Sequence, residues 1–220
     1  MLTDDQIWSA IDSQRGRVAE LLESLDDDQW EHPSLCEGWT VRDVGAHLTL
    51  QQMTLAQAMR VVLRNPSHAL DVNRIIHESS RRQAAALSTE AIVAAIRATV
   101  GQRRHNPGVT HRETLIDNLV HGMDIAVPLQ LEIEIPADAA AEAATRVRSF
   151  DGTGRNRVFR DIPLREFRLV ATDHAWSAGD GPEISGPIRA LLLLLTGRPA
   201  GLADVTGPGA DVLRRHLVPA

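Results

Sequence analysis

The stretch SLCEGWTVRDVGAHL at residues 34–48 runs from a loop into the start of a helix. Gly38 marks the loop, and Thr40 followed three residues later by Asp43 is a capping signal for a helix that begins there. Apolar residues then recur at helical spacing as far as Val62, so we predict one continuous helix from Val41 to about Arg64.

Similar signals predict further helices in the first 130 residues. A Thr3–Gln6 capping box opens the first helix, and a Thr110–Glu113 box opens the last, which Pro128 ends. Between them, helices are expected over residues 70–87 and 88–100, while residues 29–38 and 101–109 are expected to be loops. Four longer helices with one short companion indicate an antiparallel four-helix bundle over residues 1–130.

The pattern changes in residues 131–220, where we predict a small α+β domain. Residues 131–135 alternate between apolar and acidic side chains and are expected to form a short strand. Residues 167–172 are predicted to be a second strand with a hairpin partner at 175–178. Helices are expected over residues 136–150, 187–196 and 209–217, with a turn at 151–154. The chain as a whole is therefore expected to be mainly α.

Composition excludes several classes of protein. The 220 residues are 43% hydrophobic and 24% charged, which is typical of a globular chain. No apolar run approaches the roughly 18 residues of a membrane helix, and the acidic N-terminus is unlike a secretory signal. We therefore expect a soluble, cytoplasmic protein with no membrane partner. A net charge of −6 argues against nucleic acid as a partner.

The usage of single residue types is also informative. All 23 basic residues are arginine and tyrosine is absent, which indicates a high-GC, bacterial genome. Cys36 is the single cysteine, so an internal disulfide and a cysteine-rich zinc site are excluded. We interpret Cys36 as part of the loop framework rather than as a nucleophile, and Trp30 and Trp39 as residues that pack this loop.

A strip of polar side chains follows one face of the helix that begins after Thr110. Asp117 and His121 lie four residues apart and therefore stack on this face. Glu113 and Asp124 fall within about 40° of Asp117 around the helix axis. From the spacing alone, a solvated helix face is the commoner explanation of this strip, and a metal site is the alternative.

His47 offers a third candidate ligand on a different helix. It lies about 60° from the middle of the apolar stripe of its helix, where a hydrogen-bonded core histidine is the commoner finding. Two histidines and a carboxylate from facing helices nevertheless form a ligand set suited to Zn²⁺, Ni²⁺ or Fe²⁺. Three protein ligands leave one position open, as in catalytic metal sites.

The motifs also carry a resemblance to a known family. The stretch from Trp30 to Leu48 resembles the N-terminal signature of the mycothiol-dependent maleylpyruvate isomerases, which belong to the DinB-like metal-binding four-helix bundles. The sequence DNLVHGMDI at residues 117–125 is similar to a second signature, in which a carboxylate is followed after three residues by His-Gly-x-Asp. Further similarity over residues 169–173, 176–182, 197–200 and 207–209 extends the resemblance to nearly the whole chain.

The resemblance implies a divalent metal, with Zn²⁺ as the first choice and Ni²⁺ or Fe²⁺ as alternatives, held by His47, Asp117 and His121. It also implies mycothiol as a thiol cosubstrate and an actinobacterial host. The isomerases have glutamate at the position of Asp117, so the carboxylate here is one methylene shorter. Asp124 is expected to orient a ligand without binding the metal itself, or else to be a solvated acid on the same strip.

These residues predict an enzyme whose metal holds a low-molecular-weight thiol as its thiolate. The thiolate then adds to an electrophilic small molecule, either for isomerisation or for S-transfer. The alternative is a non-enzymatic metal- or ligand-binding regulatory module on the same fold. A homo-oligomer is compatible with either hypothesis.

Overall fold

The computed structural model describes residues 1–63, 72–151, 153, 159 and 162–217. The chain divides into two compact units. One is Thr3–Glu134, and the other is Ile135–Ala220 together with Met1–Leu2.

The N-terminal unit is helical. Its described helices are α1 (Asp4–Glu23), α2 (Asp27–Glu31), α3 (Val41–Leu48), α4 (Leu55–Leu63), α5 (Val72–Ala86), α6 (Thr89–Arg97) and α7 (His111–Ala126). α1 packs on α6 and α7, and α3 packs on α5, α6 and α7, so these helices surround a shared apolar core. Val18, Val44, Ile92 and Ile125 are core residues from four different helices and are fully buried.

The predicted capping motifs are confirmed at the starts of α1, α3 and α7. The Thr40 side chain accepts a hydrogen bond from the Asp43 N–H, and the Asp43 side chain accepts one from the Thr40 N–H. Equivalent reciprocal pairs start α1 and α7. Because each pair satisfies two backbone donors that have no partner within the helix, the sequence alone locates these helix starts to the residue.

Two predictions in the N-terminal unit are wrong. Residues 29–38 were expected to be a loop, but α2 occupies its beginning, because Asp26 and Gln29 form a further capping box. The helix expected from Val41 to Arg64 is broken into α3 and α4. Arg64 itself, like residues 70 and 71 of the predicted third helix, lies outside the described residues.

The break between α3 and α4 has a local cause. The Thr49 hydroxyl donates to the Ala46 carbonyl at 2.7 Å, which closes the last turn of α3. The Thr54 N–H donates to Gln57 Oε1 at 2.7 Å, and the Thr54 hydroxyl oxygen accepts from the Gln57 N–H at 3.3 Å. A second helix therefore starts inside the continuous apolar pattern. The prediction missed this start because hydrophobic periodicity carries no information about capping hydrogen bonds.

The strand expected at residues 131–135 is also wrong. This segment is irregular and pairs with no strand among the described residues, while its side chains alternate between half-buried and exposed. Ile133 packs against the core of the N-terminal unit. One side of this segment is therefore buried against helices. The resulting alternation of apolar and acidic residues has a period of two, as in a strand.

The C-terminal unit contains a small three-stranded sheet with helices. The elements are α8 (Ala137–Arg148), β1 (Arg168–Ala171), β2 (Ser177–Ala178), β3 (Glu183–Gly186), α9 (Ile188–Leu195) and α10 (Pro208–Leu217), with 3₁₀ turns at Leu164–Glu166 and Pro199–Asp204. β1 is the central strand, with β2 antiparallel on one side and β3 parallel on the other, and Leu169 is paired in register with both Ala178 and Ile184. α8 packs on α9, and α9 packs on β1.

The predicted helices and the hairpin of this unit are confirmed, but β3 was missed. Its four residues include Ser185 and Gly186, which are weak strand formers, and its partner β1 lies across a non-local parallel pairing. Residues 152 and 154 of the predicted turn lie outside the described residues. None of the described helices has the length and apolar character needed to cross a bilayer.

Two helical glycines test how tightly α7 is held against α1. A Cβ on Gly122 of α7 would lie 3.0 Å from both Gln14 Nε2 and Ile133 Cδ1, whereas a Cβ on Gly16 of α1 meets nothing within 4 Å. We expect Gly16→Ala to raise the free energy of unfolding by about 0.5–1 kcal/mol through helix propensity. We expect Gly122→Ala to lower it by about 1 kcal/mol, because crowding outweighs that gain.

Chemical denaturation of the two variants beside the wild type measures this difference. Gly16→Ala is the matched control, since it makes the same change in a helix of the same unit. Equal stabilisation by both substitutions would show that α7 does not pack closely against α1 at Gly122.

Candidate metal centre

α7 presents two polar side chains to the interior of the N-terminal unit. Asp124 is fully buried, and the His121 side chain is 12% exposed. His121 Nδ1 lies 2.8 Å from Asp124 Oδ2. Since a carboxylate only accepts, Nδ1 carries the proton and donates it, which fixes the orientation of the ring. The interpretation of this part of the strip as a solvated helix face is therefore wrong.

A loop between α2 and α3 brings Cys36 to the same place. The loop closes through a bridge between Pro33 and Thr40, and Ser34 N–H donates to the Trp39 carbonyl at 2.9 Å. Leu35 N–H donates to the backbone carbonyl of Asp124 at 3.1 Å, which ties the loop directly to α7.

The Cys36 thiol reaches the polar pair on α7. Sγ lies 3.1 Å from Asp124 Oδ2 and 3.8 Å from His121 Nδ1. Among the described residues, Cys36, His121 and Asp124 form a group whose potential ligand atoms all lie within 4.8 Å of one another. Cys36 is predicted to be part of the loop framework, and no spacing in the sequence indicates that its thiol meets α7.

His47 approaches His121 from α3. The two imidazole rings lie edge to face, with their centroids 4.9 Å apart. His47 Nδ1 lies 3.2 Å from Ser80 Oγ, and the Ser80 hydroxyl donates to the Ile76 carbonyl at 2.9 Å. Because the Ser80 proton is already committed to that carbonyl, its oxygen accepts from His47 Nδ1–H, and the lone pair of His47 is then on Nε2.

Trp39 forms a wall beside these histidines. Its indole is 7% exposed, and its ring centroid lies 5.3 Å from that of His47 and 6.5 Å from that of His121. The imidazole of His77, on α5, lies 5.6 Å from the same indole. Trp39 does pack the loop, as predicted, but it also lines the histidine cluster. No pattern in the sequence indicated that His77 lies beside it.

Asp117 lies on α7 one turn before His121 and is half-buried. The structure thus brings His47 and His121 together and places Asp117 on the same helix. Neither Asp117 nor His47 belongs to the compact group formed by Cys36, His121 and Asp124. The ligand set of His47, Asp117 and His121 stays a prediction.

The electrostatics of His121 depend on its two neighbours. Burial lowers the pKa of His121, but the hydrogen bond to Asp124, the charge of Asp124 and the adjacent Cys36 sulfur outweigh it, and the pKa rises from 6.5 to about 10. The metal-free site therefore holds a proton that a metal ion has to displace, because an imidazole ligates only when deprotonated.

This pKa shift predicts how the stability of the metal-free protein depends on pH. The folded state holds its extra proton between the ordinary pKa of 6.5 and the folded value of about 10. The stabilisation is therefore complete below pH 6.5 and is lost as the pH rises to about 10. We expect the melting temperature of metal-free wild type to fall more steeply over this range than that of Asp124→Asn, which lacks the carboxylate charge.

Differential scanning calorimetry across this pH range makes the measurement. His105→Ala is a control, since His105 is exposed and its Nδ1 lies beside the Asn106 carbonyl, away from the site. Its melting temperature should depend on pH as that of the wild type does. Parallel curves for wild type and Asp124→Asn would contradict the raised pKa.

Comparison with known proteins places this geometry in a family. A family model described as the mycothiol maleylpyruvate isomerase N-terminal domain matches residues 11–126, which include His47, Asp117, His121 and Asp124. No individually curated protein matches the chain in sequence.

Solved structures with a similar fold include the crystal structure of a mycothiol-dependent maleylpyruvate isomerase. It has a TM-score of 0.63 and 14% identity, over 95% of this chain and 94% of that one. A histidine-to-alanine mutant of a mycothiol-dependent maleylpyruvate isomerase gives a TM-score of 0.62 with the same identity and coverage. These similarities confirm the predicted fold class, a DinB-like helical bundle followed by a small α+β unit. By its matched domain, the chain belongs to the mycothiol maleylpyruvate isomerase N-terminal domain family.

Proposed function

We propose that this protein is a metal-dependent enzyme that uses mycothiol to modify an electrophilic small molecule, as an isomerase or an S-transferase. The observation that carries the proposal is the meeting of two histidines from different helices, His47 and His121, each with its Nδ1 engaged by a neighbouring side chain. Half-buried imidazoles with one nitrogen held in this way are typical of metal ligands.

The residues present fit a divalent metal. Engagement of Nδ1 leaves Nε2 as the ligating nitrogen in both rings, and Asp117 would supply a carboxylate oxygen from the helix turn before His121. Two imidazoles and a carboxylate are donors suited to Zn²⁺, with Ni²⁺ and Fe²⁺ as alternatives. The bound ion would supply Lewis acidity, which lowers the pKa of a thiol and favours its thiolate at neutral pH.

The chain itself positions and shields the reacting thiol. Asp124 and Ser80 hold the two imidazoles in fixed orientations, and the indole of Trp39 covers one side of the histidine cluster. A buried site with fixed side chains loses little free energy to reorganisation during the reaction. Cytoplasmic location and an actinobacterial host belong to this proposal, because mycothiol is the thiol expected there.

The reaction class follows from thiolate chemistry. The sulfur forms a bond to an electron-poor carbon as the π bond breaks, which leaves a single bond that can rotate. Expulsion of the thiolate then restores the double bond in the other geometry, as an isomerase requires. If the adduct is protonated and released instead, the outcome is S-transfer. Maleylpyruvate is the first electrophile to test for either reaction.

The metal requirement gives a direct test. We expect chelator-treated protein, purified without a histidine tag, to regain about one divalent ion per chain. His47→Ala and His121→Ala should each weaken Zn²⁺ binding by more than about 100-fold, since even outer partners are worth about 10–100-fold. Elemental analysis and competition with a zinc chelator measure both effects.

The control for this experiment is His105→Ala, which removes an exposed histidine and should leave the stoichiometry unchanged. Metal-loaded protein that consumes neither maleylpyruvate nor other conjugated electrophiles in the presence of mycothiol would contradict the enzyme proposal. Unchanged metal content in both histidine variants would contradict the proposed ligands.

Asp117 can be tested separately from the histidines. If its carboxylate is the third ligand, Asp117→Asn should weaken Zn²⁺ binding by about 10-fold or more, whereas Asp117→Glu should keep binding within about threefold because the charge and donor type are retained. Isothermal titration of the metal-free variants measures this. Undiminished binding by Asp117→Asn, which keeps the shape of aspartate but not its carboxylate, would contradict a ligating carboxylate at this position.

A further inference from the structure

We propose that Cys36 is a positioning residue of this centre, whose thiol holds Asp124 and, through it, the ring of His121. The inference rests on the proposed function for its role in metal binding, but its structural part concerns residues whose contacts are independent of any metal. Nothing in the sequence assigned Cys36 more than a place in the loop.

The first step is the sharing of one oxygen atom. Asp124 Oδ2 lies 2.8 Å from His121 Nδ1 and 3.1 Å from Cys36 Sγ, so both groups bond to the same oxygen. Asp124 is fully buried, where each hydrogen bond to its charge matters more than at the surface. The thiol and the imidazole therefore stabilise the carboxylate jointly.

The second step is the direction of the thiol hydrogen bond. Sγ is closer to the carboxylate, at 3.1 Å, than to His121 Nδ1, at 3.8 Å. Nδ1 already donates to Oδ2, so it offers no lone pair to the thiol proton. Cys36 consequently acts on His121 through Asp124, because its hydrogen bond restricts rotation of the carboxylate that the imidazole follows.

The third step is the rigidity of the loop that carries the thiol. The Cys36 N–H donates to Ser34 Oγ at 3.1 Å, and the Ser34 hydroxyl donates to the Trp39 carbonyl at 2.9 Å. Leu35 N–H reaches the Asp124 carbonyl at 3.1 Å. The loop thus contacts both the backbone and the side chain of Asp124, so the thiol stays at a fixed distance from the carboxylate.

Two readouts test this role, one of which needs no metal. In metal-free protein, the His121 Nδ1 proton should give a resolved NMR resonance that exchanges slowly with water. Cys36→Ala should speed this exchange by about 10-fold, the value of one lost hydrogen bond to a charged group. Cys36→Ser keeps a donor at the same position and should exchange within about threefold of wild type.

The second readout is zinc affinity, measured by chelator competition. Cys36→Ala should weaken binding by about 10-fold and Cys36→Ser by less than about threefold, in line with loss and rescue of an outer hydrogen bond. Glu37→Ala is the matched control, because it removes the exposed side chain next to Cys36 in the same loop and leaves the thiol in place. It should leave both the His121 proton exchange and the zinc affinity unchanged.

Each contrary result has a distinct meaning. Unchanged exchange in Cys36→Ala overturns the inference, and equal acceleration in Glu37→Ala overturns it as well, because any change in the loop would then have the same effect as loss of the thiol. A sulfur-to-cobalt charge-transfer band in Co²⁺-loaded wild type that both Cys36 variants lack would make Cys36 a metal ligand instead. If the protein binds no metal, the proposed function fails, while the exchange experiment still decides the role of Cys36.

Discussion

The site depends on a carboxylate that is buried inside a helical bundle. Asp124 has no exposed surface, and an ion there has lost the hydration that stabilises it in water. The loss of hydration is compensated by His121 on the same helix and by Cys36 from the loop between α2 and α3. Both side chains donate a hydrogen bond to one carboxylate oxygen of Asp124. Charge-assisted hydrogen bonds of this kind are short and directional, so a fixed Asp124 also fixes its neighbours.

The loop between α2 and α3 links the site to the fold. The loop after α2 bonds to the backbone of Asp124 through Leu35, and the indole of Trp39 then lies beside the rings of His47 and His121. The loop that closes the core of the N-terminal unit is therefore also the loop that lines the histidine cluster. The same short stretch of sequence therefore contributes both to the packing of this unit and to the geometry of the site.

The helices of the N-terminal unit were predictable where local chemistry defines them. Capping boxes at Thr3, Thr40 and Thr110 begin helices because their hydrogen bonds form within four residues. Prediction failed where a local cap competes with a continuous apolar pattern, as at Thr54, and where burial on helices imitates the alternation of a strand, as at residues 131–135. The missed strand β3 depends on a partner distant in sequence, which no local pattern encodes.

By itself, the sequence determined the starts of α1, α3 and α7 and the mainly α class with a small α+β unit. These follow from hydrogen bonds and periodicities that span a few residues along the chain. The nomination of His47, Asp117 and His121 as metal ligands, and of Asp124 as a residue that orients a ligand, rested instead on the resemblance of two short motifs to a known family. Only the tertiary structure decided that His47 meets His121, that Asp124 is buried and that Cys36 bonds to it. The reason is physical: burial and the direction of a side chain across helices depend on packing between distant segments, which a single helix face does not specify.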